Sequence, residues 1–504
     1  MNHSPVIAAV LSALLAAATP GIAVSKPAAA SGAASVARID KQRIDDAIGA
    51  LVKSGALVGA SALVYQDGRE AYFGAFGLAD REANRPMARD TLAQIWSMTK
   101  PVTASGAASV ARIDKQRIDD AIGALVKSGA LVGASALVYQ DGREAYFGAF
   151  GLADREANRP MARDTLVQIW SMTKPITGVA LMTLYDQGKF QLDDPVSKYL
   201  PEFANVRVYA GKDVKGEPIL QAPHRAITIR DLLRHTAGMY GSADTGPVSE
   251  MFRKADTDDF NITLAEKSRR LATVPLLYQP GTRWLYSPAP DVEARLVEVL
   301  SGQPFDKYLQ QNLFGPLKMK DTRHGVADWK RMAALYTRTD DGVMTRLPDE
   351  EAFKLVGKDW PFKSGSWGVT STLDDYMRFA RMLLNGGELD GVRVLKPSTV
   401  RLMASDAMPD EVTDTSWLPS KGQVGFGINL AVRIARPKTA AEASGEVGEF
   451  FWDGGANTLF WVDPINRITA VLFAQYVPFG RVPLHKAFRD AVYRDDSSAA
   501  APVE

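Results

Sequence analysis

The chain has 504 residues, 59 of them basic and 58 acidic, for a formal net charge of +1, so it carries no field that would recruit nucleic acid or an anionic membrane surface. With no cysteine it has no disulfide, thiolate zinc site or cysteine nucleophile. Its five histidines, at 3, 224, 235, 324 and 485, lack metal-ligand spacing, so no metal or other cofactor is expected.

Residues 1–23 read as a secretory signal. Val6–Ala18 is an apolar run too short to span a bilayer, and Gly21-Ile22-Ala23 supplies small residues for cleavage, although no Lys or Arg precedes the run. The expected location is periplasmic or secreted; the alternative is a cytoplasmic chain with a polar tail. Residues 24–37, dominated by Ala, Ser, Gly and Pro, read as a linker.

Two blocks of 74 residues follow, 30–103 and 104–177, which differ only where Ala93 and Val102 become Val167 and Ile176. The period is too long for a solenoid, and two copies would not make a stable array. Each block carries Ser-Met-Thr-Lys near its end, at 97–100 and 171–174. On a helix, Ser and Lys three residues apart lie on one face, where they can act as nucleophile and base. After Lys174 the apolar residues at 176, 179, 180, 181 and 184, closed by Gly188, describe a mostly buried helix. Pro175 falls in its first turn, where little bonding is lost. After Lys100 the chain turns small and polar within four residues, so the helix is cut short. Ser171 is therefore the expected nucleophile and 38–103 a redundant copy. The competing reading has both copies contend for one slot in a sheet.

Ile113, Ile118, Ala121, Ile122, Leu125 and Val126 recur at helical spacing over 112–128. Leu131–Tyr139 and Glu144–Leu152 flank Gln-Asp-Gly-Arg as a β-hairpin. Helical patterns then dominate 190–360, at Thr228–His235, Leu264–Leu271, Pro290–Ser301 and Phe305–Asn312. Strands return at Glu449–Trp452, Thr458–Val462 and Arg467–Gln475, before a last helix over Leu484–Tyr493. The expected fold class is α+β: an antiparallel sheet built from both ends of the chain, flanked by helices, with a mainly helical insertion. The sheet domain takes 104–190 with 361–495, the helical domain 191–360, and 496–504 form a tail.

Ser171 and Lys174 keep specific company. Trp170, Pro175-Ile-Thr-Gly178, Gln187–Pro195, Ile227–Gly238, Pro280–Ser287, Gly365–Ser371 and Leu384–Gly387 follow in order. With these landmarks the chain from about 110 to 493 resembles the serine β-lactamase and penicillin-binding-protein superfamily. It is most similar to the class C β-lactamase-like esterases, the family VIII carboxylesterases. That resemblance implies a β-lactamase-like fold and hydrolysis of a small-molecule ester through an acyl-enzyme on Ser171. It also implies that Tyr286, opening Tyr286-Ser287-Pro288, shares the proton work with Lys174, either as tyrosinate or as general acid.

The family's third motif is matched by Trp452-Asp453-Gly454-Gly455. The resemblance implies an oxyanion hole from the N–H groups of Ser171 and Gly455, with Trp452, Asp453 and Gly454 beside the substrate. A turn at Asp453-Gly-Gly is compatible with this role. A β-lactam-binding site would carry Lys or His where Trp452 stands; an aromatic wall and an adjacent acid favour esters. Tyr240, Trp367 and Phe451 are candidates to line the acyl pocket, or core aromatics. His235 is expected to cap its helix or pack. The chain has no Gly-x-Ser-x-Gly elbow. The alternatives are a β-lactamase or D-alanyl-D-alanine carboxypeptidase, and a non-catalytic binding protein of the same fold.

Overall fold

The computed structural model describes residues 40–66, 69–91, 113–241, 248–339, 341–410, 412, 414–415 and 418–493. The signal, the linker, Ser97, Lys100 and the tail lie outside the described residues. The chain divides into two compact units, Met1–Gly106 and Ala107–Glu504. No described helix is long and apolar enough to cross a membrane.

In the first unit, α1 (Lys41–Lys53) starts at Asp40, whose carboxylate accepts from Arg43 N. The strands β1 (Gly59–Gln66), β2 (Arg69–Asp80) and β3 (Arg85–Pro86) form an antiparallel sheet in the order β1-β2-β3. No residue of α1 is buried, and Leu63 on β1 is 52% exposed.

The second unit repeats these elements as α2 (Lys115–Lys127), β4 (Gly133–Gln140), β5 (Arg143–Asp154) and β6 (Arg159–Pro160). Gly133 pairs with Gly151 as Gly59 pairs with Gly77. Here the hairpin is part of a larger sheet. Among the helices that follow are α3 (Thr173–Asp186), α4 (Leu264–Thr273), α5 (Ala289–Ser301) and α6 (Leu373–Leu384). The strands β7 (Val424–Phe426), β8 (Ala431–Arg433), β9 (Phe450–Gly454), β10 (Thr458–Asp463) and β11 (Ile468–Ala474) complete the sheet, and α7 (Leu484–Val492) follows.

The sheet runs β7-β8-β9-β10-β11-β4-β5-β6, antiparallel throughout. It joins the two ends of the second unit, in keeping with the α+β reading. Successive side chains of β10 point to opposite faces. Phe460 meets Tyr376 of α6 at 5.0 Å, and Trp461 meets Phe488 of α7 at 5.1 Å, so α6 and α7 cover opposite faces. Every residue of α3 from Thr173 to Leu184 is buried, as expected of a helix apolar on all sides at the centre of a domain.

Three local expectations are revised. Trp170–Met172 is a 3₁₀ turn, and the α-helix begins only at Thr173. The strand expected to stop at Trp452 continues to Gly454, because Gly454 pairs with Thr458; the turn falls on 455–457, where Asn457 takes φ 63°. The 190–360 region also holds two hairpins, Val208–Lys212 with Pro218–Gln221 and Tyr336–Arg338 with Met344–Arg346. The strands of the second hairpin, three residues each, are too short for a period-2 pattern, and those of the first, Val-Tyr-Ala-Gly-Lys and Pro-Ile-Leu-Gln, do not alternate.

Candidate active site

The chain enters the site through Trp170, which adopts φ 49°, a conformation that strains a bulky residue. The following 3₁₀ turn presents Ser171 half-buried and starts α3, so Lys174 sits in the first helical turn. The turn is docked on the β9–β10 hairpin. Thr458 Oγ1 donates to Ile169 O at 3.3 Å, and a Cβ at Gly454 would lie 2.4 Å from that same carbonyl oxygen. Gly454 is thus required by close approach of two backbones. A Cβ at Gly455 would meet the Trp170 ring at 3.5 Å, which places this residue next to the serine turn.

Lys174 Nζ donates to Ser171 Oγ at 3.1 Å and to Ser366 O at 2.9 Å. The lysine is 4% exposed. Burial pulls its pKa down to about 7, against the opposing charges of Asp291, Glu293 and Asp453. Its ammonium lies 4.7 Å from the Tyr286 ring centroid. Ser171 and the Trp452 indole both hydrogen-bond to the Tyr286 hydroxyl, the latter at 3.4 Å. Burial outweighs those bonds and pushes the tyrosine pKa up. Of the two bases left open by the sequence, Lys174 is the one deprotonated near neutrality, and Tyr286 keeps its proton.

One residue weighed in the sequence, His235, and two that no motif announced, Asp291 and Glu293, surround this trio. His235, at φ 57°, packs its buried ring against Tyr286 at 5.0 Å, Phe426 at 5.4 Å and Trp284 at 5.9 Å. Its Nδ1 lies 3.3 Å from Ser287 Oγ, and burial holds its pKa well below the ordinary value. It forms a neutral wall behind the tyrosine, which agrees with the packing expectation. Asp291 accepts from Ser364 Oγ at 2.6 Å and Ser366 N at 3.1 Å. Burial raises the Glu293 carboxyl to about 8, and the Asn429 amide donates to it at 2.5 Å. Both acids lie on α5 amid residues whose helical spacing reads as ordinary core, so only the packing of α5 reveals their proximity to Lys174.

Asp453 is, from the sequence, an acid beside the substrate. In the structure it is paired with Lys421 Nζ at 2.5 Å, both side chains being under 10% exposed. Tyr240 is buried against Phe252 at 4.9 Å, and Phe451 lies under the Arg489 guanidinium at 4.5 Å. Trp367, adjacent to Ser366, is half-buried against Phe260 and Phe362 at 5.3 and 5.4 Å.

A sheet from both ends of the second unit, a helical insertion, and a Ser-x-x-Lys turn meeting a tyrosine from that insertion define the β-lactamase-like class of serine hydrolases. The beta-lactamase family model matches residues 44–123 and 118–493, and the chain belongs to that family. It is 37% identical to Protein Rv1367c of Mycobacterium tuberculosis over 358 residues, covering 70% of this chain and 87% of that protein. It is 31% identical to Esterase EstB of Burkholderia gladioli over 394 residues, covering 75% and 94%. Among solved structures, EstCE1, described as a hydrolase with promiscuous acyltransferase activity, superposes with a TM-score of 0.62 at 26% identity, covering 75% of this chain and 98% of EstCE1.

Proposed function

We propose that the protein hydrolyses carboxylic esters of small molecules through an acyl-enzyme on Ser171. The observation that carries this reading is the 3.1 Å contact between Ser171 Oγ and a buried lysine with a pKa of about 7. A serine hydroxyl is a poor nucleophile without a base close by, and neutral Lys174 is positioned to take its proton as Oγ attacks the ester carbonyl. The N–H groups of Ser171 and Gly455 hold the developing oxyanion. Tyr286, protonated and hydrogen-bonded to Ser171, passes the proton from Lys174 to the departing alcohol. Water then attacks the acyl-serine as Lys174 takes its proton; the C–Oγ bond breaks, Lys174 returns that proton to Ser171 Oγ, and the acid leaves.

Trp452 supports an ester over a β-lactam, because an aromatic side chain stands where a cation would bind the β-lactam carboxylate. The similarity to Esterase EstB points the same way. The description of EstCE1 favours a second outcome at the same acyl-enzyme, transfer to an alcohol instead of water. Both share every step up to deacylation.

The test compares initial rates on p-nitrophenyl butyrate and nitrocefin, with Ser171→Ala as control. Ester cleavage that disappears in the variant, with little nitrocefin turnover, supports the proposal. Dominant nitrocefin turnover would make the protein a β-lactamase or carboxypeptidase. Failure of a fluorophosphonate to label Ser171 would make it a binding protein.

A further inference from the structure

We propose that Lys267 is a positioning residue for this reaction: from α4 it holds the outer oxygen of Asp291, and through that carboxylate it governs how readily Lys174 accepts the Ser171 proton. The inference rests on the Ser171–Lys174 mechanism above and extends it to a residue of the helical insertion.

The four buried residues of α4, Leu264, Lys267, Ser268 and Leu271, recur at helical spacing, so a lysine stands on the core-facing side of this helix. Its side chain is 2% exposed, and a lysine is buried so deeply only where partners satisfy its charge. Nζ donates to Thr257 O at 2.5 Å and to Asp258 Oδ1 at 3.1 Å, and it lies 3.8 Å from Asp291 Oδ2. It also lies 5.1 Å from the Phe362 ring centroid. Asp258 is 60% exposed and Asp291 only 1%, so the pair with Asp291 is the one that solvent does not screen.

Asp291 divides its oxygens between two sides. Oδ1 accepts from Ser364 Oγ and Ser366 N, and Ser366 O in turn accepts from Lys174 Nζ. Oδ2 faces Lys267. A line of contacts therefore runs from Lys267 through Asp291, Ser366 and Lys174 to Ser171. From the far side of the carboxylate, Lys267 holds its orientation and offsets part of the negative charge that acts on Lys174. Without the Lys267 charge, the full charge of Asp291 favours the Lys174 ammonium, and the proton leaves it less readily. Substitution at Lys267 leaves in place the other titratable groups around this line. They are Glu293 on α5, Asp453 on β9, His324 bonded to Ser364 O, and Tyr286 and His235 beside Lys174.

The experiment uses the full chain and two readouts against pH: the rate at which a fluorophosphonate labels Ser171, and kcat/KM on p-nitrophenyl butyrate. Lys267→Gln keeps a donor for Thr257 O and removes the charge. It is expected to move the acid limb of both profiles to higher pH by about half a unit to one unit, a three- to tenfold loss on the acid side. Lys267→Arg, which keeps the charge, is expected to restore the wild-type limb. In an Asp291→Asn background, Lys267→Gln is expected to add less than half of that displacement. If Lys267→Gln does not fold, as judged by its melting profile, Lys267→Met, which keeps an unbranched stem against Phe362, carries the same test. An unmoved limb in a folded variant would overturn the proposal and leave Lys267 an anchor for Thr257. Equal displacement in both backgrounds would overturn the route through Asp291. Labelling of Ser171 without ester turnover would overturn the esterase reading alone, since the labelling profile still tests Lys267. Wild-type protein that neither labels nor cleaves would overturn the mechanism and this inference with it.

Discussion

Asp291 and Lys174 are joined through one residue: Ser366 donates its N–H to Asp291 Oδ1 at 3.1 Å and accepts from Lys174 Nζ at its carbonyl, at 2.9 Å. The carboxylate thus aims the carbonyl that holds the lysine, and it is the foremost charge opposing the fall in lysine pKa. On the proposed mechanism, Asp291 is a positioning residue behind the base.

This coupling makes a prediction about pH. Lys174 must be neutral to accept a proton, so kcat/KM is expected to rise with pH and level off above about 7. Asp291→Asn keeps an acceptor for Ser366 N but removes the charge that favours the ammonium. The acid limb should then move to lower pH, by roughly half a unit to one unit. A pH–rate profile checks it. A lower plateau with an unmoved limb would mean that Asp291 serves structure only.

Tyr286→Phe removes the hydroxyl that both Ser171 and Trp452 engage. Loss of a proton relay should lower kcat by about 10²–10⁴-fold with little change in KM. Single-turnover kinetics would place the defect in formation of the acyl-enzyme. A rate within a few-fold of wild type would remove Tyr286 from the mechanism.

Glu293 bears on stability. Its folded-state pKa, about 8, lies above the ordinary 4.5, so the stability it contributes is full below 4.5 and is lost as pH rises through 8. Glu293→Gln keeps a partner for Asn429 and removes that loss. The variant should melt like wild type near pH 4 and above it at pH 9, by on the order of 2–4 kcal/mol. Parallel melting curves across this range would show that the carboxyl is not buried in solution as it is here.

The second unit holds every member of the proposed site, so deleting residues 1–106 is expected to leave ester turnover and melting temperature unchanged. In intact protein, limited proteolysis should trim the chain to near residue 104. Resistance of the first block, or loss of activity on deletion, would show that the duplicate contributes to the working state.

Much of this was present in the sequence. Helical spacing located α2, period and turn chemistry located the β4–β5 hairpin, and the residues after Lys174 announced the buried α3. Those are local signals, carried by neighbours along the chain. The ordered motifs also brought Ser171, Lys174, Tyr286 and the strand at Trp452 into one expected site. Tertiary structure decided the electrostatics. The depressed lysine, the protonated tyrosine, the acids of α5 and the lysine that neutralises Asp453 all depend on burial and on charges distant in sequence. The duplicated hairpin shows the division most plainly. Leu63 and Leu137 occupy the same place in identical strands with the same pairing, yet one is 52% exposed and the other fully buried. Local sequence specifies the hairpin, but burial comes from what packs on it, and β11 pairs with β4.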